Sequence, residues 1–166
     1  MIKFITFSLL SAFMTISSFA DELFDGLSLS SARSTQGGID NYSLGFSGLV
    51  SMRPTSYLGT DFQIGIFGQS GQLNYSALLD GAAVVYLPLG SKNVNLYGKA
   101  GFAIIYSFES NNSVRNLTPT YGAGIEYKWG KKAVRLSIQH YDVGNISLSP
   151  SISANLMGIS LLSIIE

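Results

Sequence analysis

From residue 120 to 144 the chain reads TYGAGIEYKWGKKAVRLSIQHYDVG, and apolar or aromatic residues hold every second position on either side of a Gly-Lys-Lys break. Tyr121, Ala123, Ile125, Tyr127 and Trp129 alternate with Gly122, Gly124, Glu126 and Lys128. After the break, Val134, Leu136 and Ile138 alternate with Arg135, Ser137 and Gln139. A period of two sends successive side chains to opposite faces of an extended strand, so the segment reads as a β-hairpin. One face is apolar and aromatic; the other is glycine and charge. A soluble sandwich does not ordinarily direct Glu, Lys and Arg towards its core, so the fold turns on which face meets solvent.

Composition narrows the choice. Charged residues make up 12% of the chain, where ordinary soluble domains carry about 25%. Net charge is zero, and no basic patch for nucleic acid is present. The absence of cysteine excludes disulfides, thiol catalysis and zinc–thiolate sites, and the single histidine, His140, cannot build a metal site by itself. At the N-terminus, Lys3 precedes an uncharged apolar stretch from Phe4 to Ile16, and Ser18 and Ala20 precede Asp21-Glu22. This pattern predicts a secretory signal over 1–20, cleaved near Ala20, because the apolar stretch is shorter than the roughly 20 residues of a spanning helix. No later apolar run reaches that length. An exported chain too apolar for water and lacking membrane helices is expected to close into a β-barrel over 21–166, pairing every backbone polar group within the sheet.

Period-two segments fall at Leu23–Ala32, Tyr42–Met52, Tyr57–Phe67, Tyr75–Leu87, Val94–Tyr106, Thr118–Trp129, Ala133–Tyr141 and Ala154–Ile165. Each is near the roughly 9–11 residues a tilted strand needs to cross a bilayer. The expectation is an all-β, eight-stranded antiparallel transmembrane barrel in up-and-down order. Connections at 33–41, 107–117 and 142–153 are long and that at 68–74 is medium, each longer than the short ones beside it at 53–56, 88–93 and 130–132. Short periplasmic turns and longer external loops have this arrangement, which places both termini at the periplasm.

Alternation also assigns the faces. Leu44, Phe46, Val50 and Met52 are expected outward on the second strand, with Ser43, Gly45, Ser47 and Ser51 inward. The fourth strand is ambiguous at Ala82–Val85, and the eighth is expected to turn Met157, Ile159 and Leu161 outward. Inside, Asp61, Asp80, Lys99, Glu126, Lys128 and Arg135 form a candidate charge cluster. An eight-stranded barrel is just wide enough for side chains to fill, so a salt-bridged plug is expected, the alternative being a gated narrow ion path. Tyr42, Tyr75, Tyr106, Tyr121, Tyr127 and Trp129 are expected outward near strand ends as aromatic girdles at the headgroup level. The same register turns Tyr57, Tyr86, Tyr97 and Tyr141 inward.

The stretches 121–129 and 134–144 resemble the penultimate hairpin of small outer-membrane barrels, namely the OmpA-like transmembrane domain and the opacity-protein group. Asn155–Leu161 resembles their final strand. The resemblance implies a non-enzymatic outer-membrane role in membrane integrity or surface contact, with no cofactor. Its implied partners are outer-membrane lipid and lipopolysaccharide, periplasmic chaperones and the barrel-assembly machinery, and a surface ligand at loops 33–41, 107–117 and 142–153. Members of the group usually end in an aromatic, whereas this chain ends Leu162-Ser-Ile-Ile-Glu166 without a peptidoglycan-binding domain, so no wall-anchoring role carries over. Some barrels that deacylate lipid A carry a serine two residues after a histidine near a strand end. Asp142 occupies that position here, so His140 is expected on the lipid face as an interfacial residue, with a lipid-modifying enzyme as the alternative. A soluble lipocalin-like barrel conflicts with the scarcity of outward charge.

Overall fold

The computed structural model describes residues 22–36, 39–69, 75–90, 93–109, 112–143 and 152–165, so the signal read at 1–20 lies outside it. The eight strands are β1 (Glu22–Gln36), β2 (Ile39–Arg53), β3 (Leu58–Gln69), β4 (Tyr75–Pro88), β5 (Val94–Glu109), β6 (Asn112–Trp129), β7 (Lys132–Val143) and β8 (Ile152–Ile164). Each pairs antiparallel with its sequence neighbours, and β1 pairs with β8 from Phe24↔Ile164 to Thr35↔Ser153. Closure leaves no strand edge around the belt of the sheet, which lets an apolar sheet persist without pairing to other chains. The turns after β2, β4 and β6 and the two described ends, Glu22 and Ile165, mark one end of the barrel. The β1–β2, β3–β4, β5–β6 and β7–β8 hairpins point to the other.

Two expected loops are strand instead. The β1–β2 ladder continues to Gln36↔Ile39 and the β5–β6 ladder to Glu109↔Asn112. Hence 33–36 with 39–41, and 107–109 with 112–117, are paired hairpin extensions. A ladder is held by cross-strand backbone hydrogen bonds, which persist where the apolar alternation that signals a buried face has faded. Connection length consequently does not alternate as expected, since 37–38 is shorter than the turn at 54–57. Most of the span 142–153 lies outside the described residues. On β6 the extension overhangs β7, whose pairing starts at Thr120↔Tyr141. Pro119, which has no N–H to give a ladder, stands just beyond that last pair, where β6 is an edge.

The alternation sorts the side chains as expected. Leu27, Leu29, Leu44, Phe46, Ile64, Ile66, Phe102, Leu136, Ile138, Met157 and Leu161 are between 52% and 70% exposed and form a continuous outer belt. On β4, Ala82, Val84 and Tyr86 are buried while Val85 and Leu87 are exposed, which resolves the ambiguous strand. Two expectations fail near the β2–β3 turn. Met52 is buried at 1% rather than outward, because alternation breaks over Ser51, Met52 and Arg53 where the strand enters the turn. Tyr57 is 61% exposed rather than inward, because it belongs to the turn before β3, with its carbonyl accepting from the Tyr86 N–H at 2.8 Å.

Inside, the lumen is layered. Phe24, Leu49, Ala133 and Leu162 pack together at the turn end. Ala32, Phe67, Leu78, Ala103, Tyr141 and Leu156 pack together at the hairpin end. Between them lies the polar middle. Glycines make room for the large rings: Tyr97 registers against Gly124, where a Cβ would fall 2.6 Å from the ring and 2.3 Å from the Leu136 carbonyl oxygen. At the β6–β7 turn, Gly130 takes a φ of +58°, a left-handed conformation that favours glycine.

Candidate functional site: the ion-paired lumen

The centre of the polar layer is Arg135, directed inward by the alternation of β7 and almost fully buried. Its Nε donates to Glu126 Oε2 at 2.7 Å, and its Nη1 donates to Asp61 Oδ2 at 2.9 Å and Oδ1 at 3.1 Å. Nη2 donates to Ser51 Oγ at 2.9 Å and to the Tyr86 hydroxyl at 2.7 Å. One side chain therefore ties β7 to β2, β3, β4 and β6. A guanidinium suits this because it carries a rigid fork of donors and stays charged when buried.

Glu126, itself fully buried, also accepts from Arg53 Nη2 and from Asn95 Nδ2 at 3.2 Å. The Arg53 guanidinium lies 3.9 Å above the Tyr86 ring and 4.9 Å from that of Phe24, so its charge is held by π faces as well as by carboxylate. At the rim, Lys128 Nζ is 2.5 Å from Glu22 Oε2. A second tier lies towards the hairpin end. There Asp80 accepts from Gln139 Nε2 and from the Tyr141 hydroxyl at 3.4 Å, with Lys99 Nζ at 3.7 Å. Gln139 also donates to Thr120 at 2.9 Å.

Among the described residues, the paired charges balance. Arg53, Arg135, Lys99 and Lys128 face Asp61, Glu126, Asp80 and Glu22. Burying an ion is costly unless it is paired and hydrogen-bonded, and here each has an opposite charge within reach. The space left between Asp61, Gln63, Tyr97, Lys99, Arg135 and Gln139 is a cavity of about 10 Å³, room for roughly one water molecule.

All six charged residues singled out in the sequence are placed inward, in two tiers and a rim: Asp61, Glu126 and Arg135 together, Asp80 with Lys99, and Lys128 with Glu22. Sequence reasoning missed Arg53, which it assigned to a turn, and Glu22, which it left ahead of the first strand. Arg53 shares the parity of the inward Ser51, and that parity was the available signal. It also left Tyr86, Ser51, Asn95 and Gln139 out of the cluster.

The outward aromatics occupy both ends. Tyr127 and Trp129 stack at the turn end with ring centroids 5.9 Å apart. Tyr42, Tyr75, Tyr106 and Tyr121 lie towards the hairpin end, Tyr106 half-buried with the Arg115 guanidinium 5.7 Å from its ring. His140 is half-buried on the outer face, its Nδ1 2.8 Å from Asn155 Oδ1 and its ring 4.9 Å from that of Tyr121. This is an environment of ring packing and amide hydrogen bonding. Among the described residues no group of three or more His, Asp or Glu could hold a metal ion, and no helix is long and apolar enough to cross a membrane.

An apolar outer belt around a closed, ion-paired interior is the architecture of a transmembrane β-barrel. Solved structures agree in fold. Neisserial surface protein A superposes with a TM-score of 0.74 at 7% identity, covering 88% of this chain and 99% of that one. The N-terminal β-barrel domain of Pseudomonas aeruginosa OprF gives 0.60 at 13% identity, with coverage of 86% and 98%. Ail, the attachment invasion locus protein of Yersinia pestis, gives 0.60 at 14% identity, with coverage of 87% and 99%. The outer-membrane enzyme PagL gives 0.57 at 16% identity, with coverage of 80% and 97%. No protein-family model and no curated protein matches the sequence. The chain has the fold of the small eight-stranded outer-membrane barrels.

Proposed function

We propose that the protein is a non-conducting, non-enzymatic barrel of the bacterial outer membrane, acting in membrane integrity or surface contact. The observation that carries this reading is the charge-balanced network centred on Arg135, which joins five strands across the lumen. Apolar layers stand above and below it. An ion would have to displace paired side chains in the middle layer and packed apolar ones on either side, so a conducting path is disfavoured. The turn end faces the periplasm in this reading, and the extended β1–β2 and β5–β6 hairpins are the outer surface available to a ligand. Lipid and lipopolysaccharide surround the belt, and chaperones and the barrel-assembly machinery deliver the exported chain. The enzymatic alternative rests on the shared fold of an outer-membrane enzyme and on His140, whose described contacts are the Asn155 amide and the Tyr121 ring.

The test is refolding from residue 21 into detergent, followed by reconstitution in planar bilayers. A gel mobility that depends on boiling should report the closed barrel, and the bilayers should show no stepwise conductance. Reproducible openings in wild type would make the narrow pore the better reading.

A further inference from the structure

Among the described side chains, Asp25 is the one carboxylate on the outer face. It is exposed and shares the parity of Leu27 and Leu29, whereas Glu22, Asp61, Asp80 and Glu126 turn inward to cationic partners. Register places Asp25 beside Ser163, Ser163 beside Lys132 and Lys132 beside Trp129, one residue from each of β1, β8, β7 and β6. All four are outward and exposed. One step towards the hairpin end, the corresponding row is Leu27, Leu161, Val134 and Tyr127, in which Leu27 and Leu161 belong to the apolar belt. On its other side Asp25 stands beside Val50 of β2. The carboxylate therefore borders hydrocarbon, and the cation of its row, Lys132, is two strands away, about 10 Å between backbones at ordinary strand spacing. Among the described residues neither Asp25 nor Lys132 has an ion pair.

From this placement we infer that the row holds the headgroup of a zwitterionic phospholipid with a primary ammonium, phosphatidylethanolamine, in the periplasmic leaflet; the inference rests on the membrane reading above. A carboxylate at the edge of hydrocarbon needs a positive partner. The ethanolamine headgroup carries phosphate and ammonium on a short ethylene spacer. One molecule laid along the row sets its phosphate against Lys132 and its ammonium against Asp25, each as a charge-assisted hydrogen bond. Ser163 between them offers a hydroxyl to the phosphate, and the Trp129 indole lies beyond Lys132 at the headgroup level. The acyl chains then run over Leu27, Leu161 and Val134 in the next row of the belt. An anionic phospholipid without an ammonium would answer Lys132 but leave its negative charge beside Asp25. A choline headgroup has no N–H to donate to the carboxylate. The two charges in register select a headgroup that bears both.

The test uses the refolded full barrel in micelles. Native mass spectrometry would compare retention of phosphatidylethanolamine, phosphatidylcholine and phosphatidylglycerol with identical acyl chains. Wild type should retain phosphatidylethanolamine about tenfold better than either of the others, the size of one charge-assisted hydrogen bond. Asp25→Asn should abolish that preference. Lys132→Gln should weaken retention of all three lipids, because each carries the phosphate. Arg115→Gln, which removes an outward arginine towards the other end of the barrel, should behave as wild type. Excess free phosphoethanolamine, which lacks the acyl chains, should not displace the lipid. Equal retention of the three lipids by wild type, an unchanged preference in Asp25→Asn, displacement by free phosphoethanolamine, or equal loss in the Lys132 and Arg115 variants would overturn the site. Boiling-dependent mobility of the same samples reads out the membrane barrel separately, so a barrel that forms without headgroup preference refutes only this inference.

Discussion

Arg135 on β7 and Asp61 on β3 meet across the full width of the barrel, Nη1 to Oδ2 at 2.9 Å. In a ring of eight strands in sequence order these two strands are diametrically opposite. The pair therefore works as a cross-brace through the lumen, and Glu126 and Tyr86 fix it from the strands between.

Removing the brace should be expensive. Arg135→Met leaves Asp61 and Glu126 buried with one cation fewer, a loss worth about 3–5 kcal/mol. Urea unfolding of the micelle-bound barrel should move to lower denaturant. Adding Asp61→Leu to Arg135→Met should recover part of the loss, because the unpaired carboxylate is then gone. Equal stability of wild type and Arg135→Met would mean that the network contributes nothing to the fold.

Gly124 and Gly68 make a controlled comparison. A Cβ at Gly124 would fall 2.3 Å from the Leu136 carbonyl oxygen, on backbone that cannot yield, whereas nothing lies within 4 Å of one at Gly68. Gly124→Ala should destabilise by about 1–3 kcal/mol as an overpacked site, and Gly68→Ala should be close to neutral. The folded fraction on unboiled gels measures both.

Leu136, 52% exposed in the outer belt, tests the environment outside the barrel. Leu136→Arg should cost about 2–4 kcal/mol in a lipid bilayer if this position lies near the midplane. In a water-soluble barrel the same change would be neutral or would improve solubility. Refolding yield in liposomes, compared with yield in buffer alone, distinguishes the two.

The chain has a single tryptophan, Trp129, stacked on Tyr127 at the turn end. A girdle residue sits at the headgroup level, so nitroxide lipids labelled near the headgroup should quench its fluorescence more than lipids labelled at the chain end. The reverse order would place the turn end inside the hydrocarbon and remove the girdle assignment.

What could be read from the sequence followed from backbone geometry. Side chains of a strand alternate strictly, so the inward set of Asp61, Asp80, Lys99, Glu126, Lys128 and Arg135 and the outward belt were legible from parity alone. The same rule holds the eight strands in order, because local hairpins connect them. Three things were not legible. Polar hairpin extensions at 33–36 and 112–117 carry no hydrophobic signal, since cross-strand backbone bonds hold them. Tyr57 and Met52 stand where a strand becomes a turn and alternation lapses. Which charge meets which was beyond reach as well. That Arg135 reaches Asp61 on the opposite wall, while Lys99 turns to Asp80, depends on barrel radius, strand tilt and stagger. These are properties of the closed sheet, and they arise only when β8 pairs with β1.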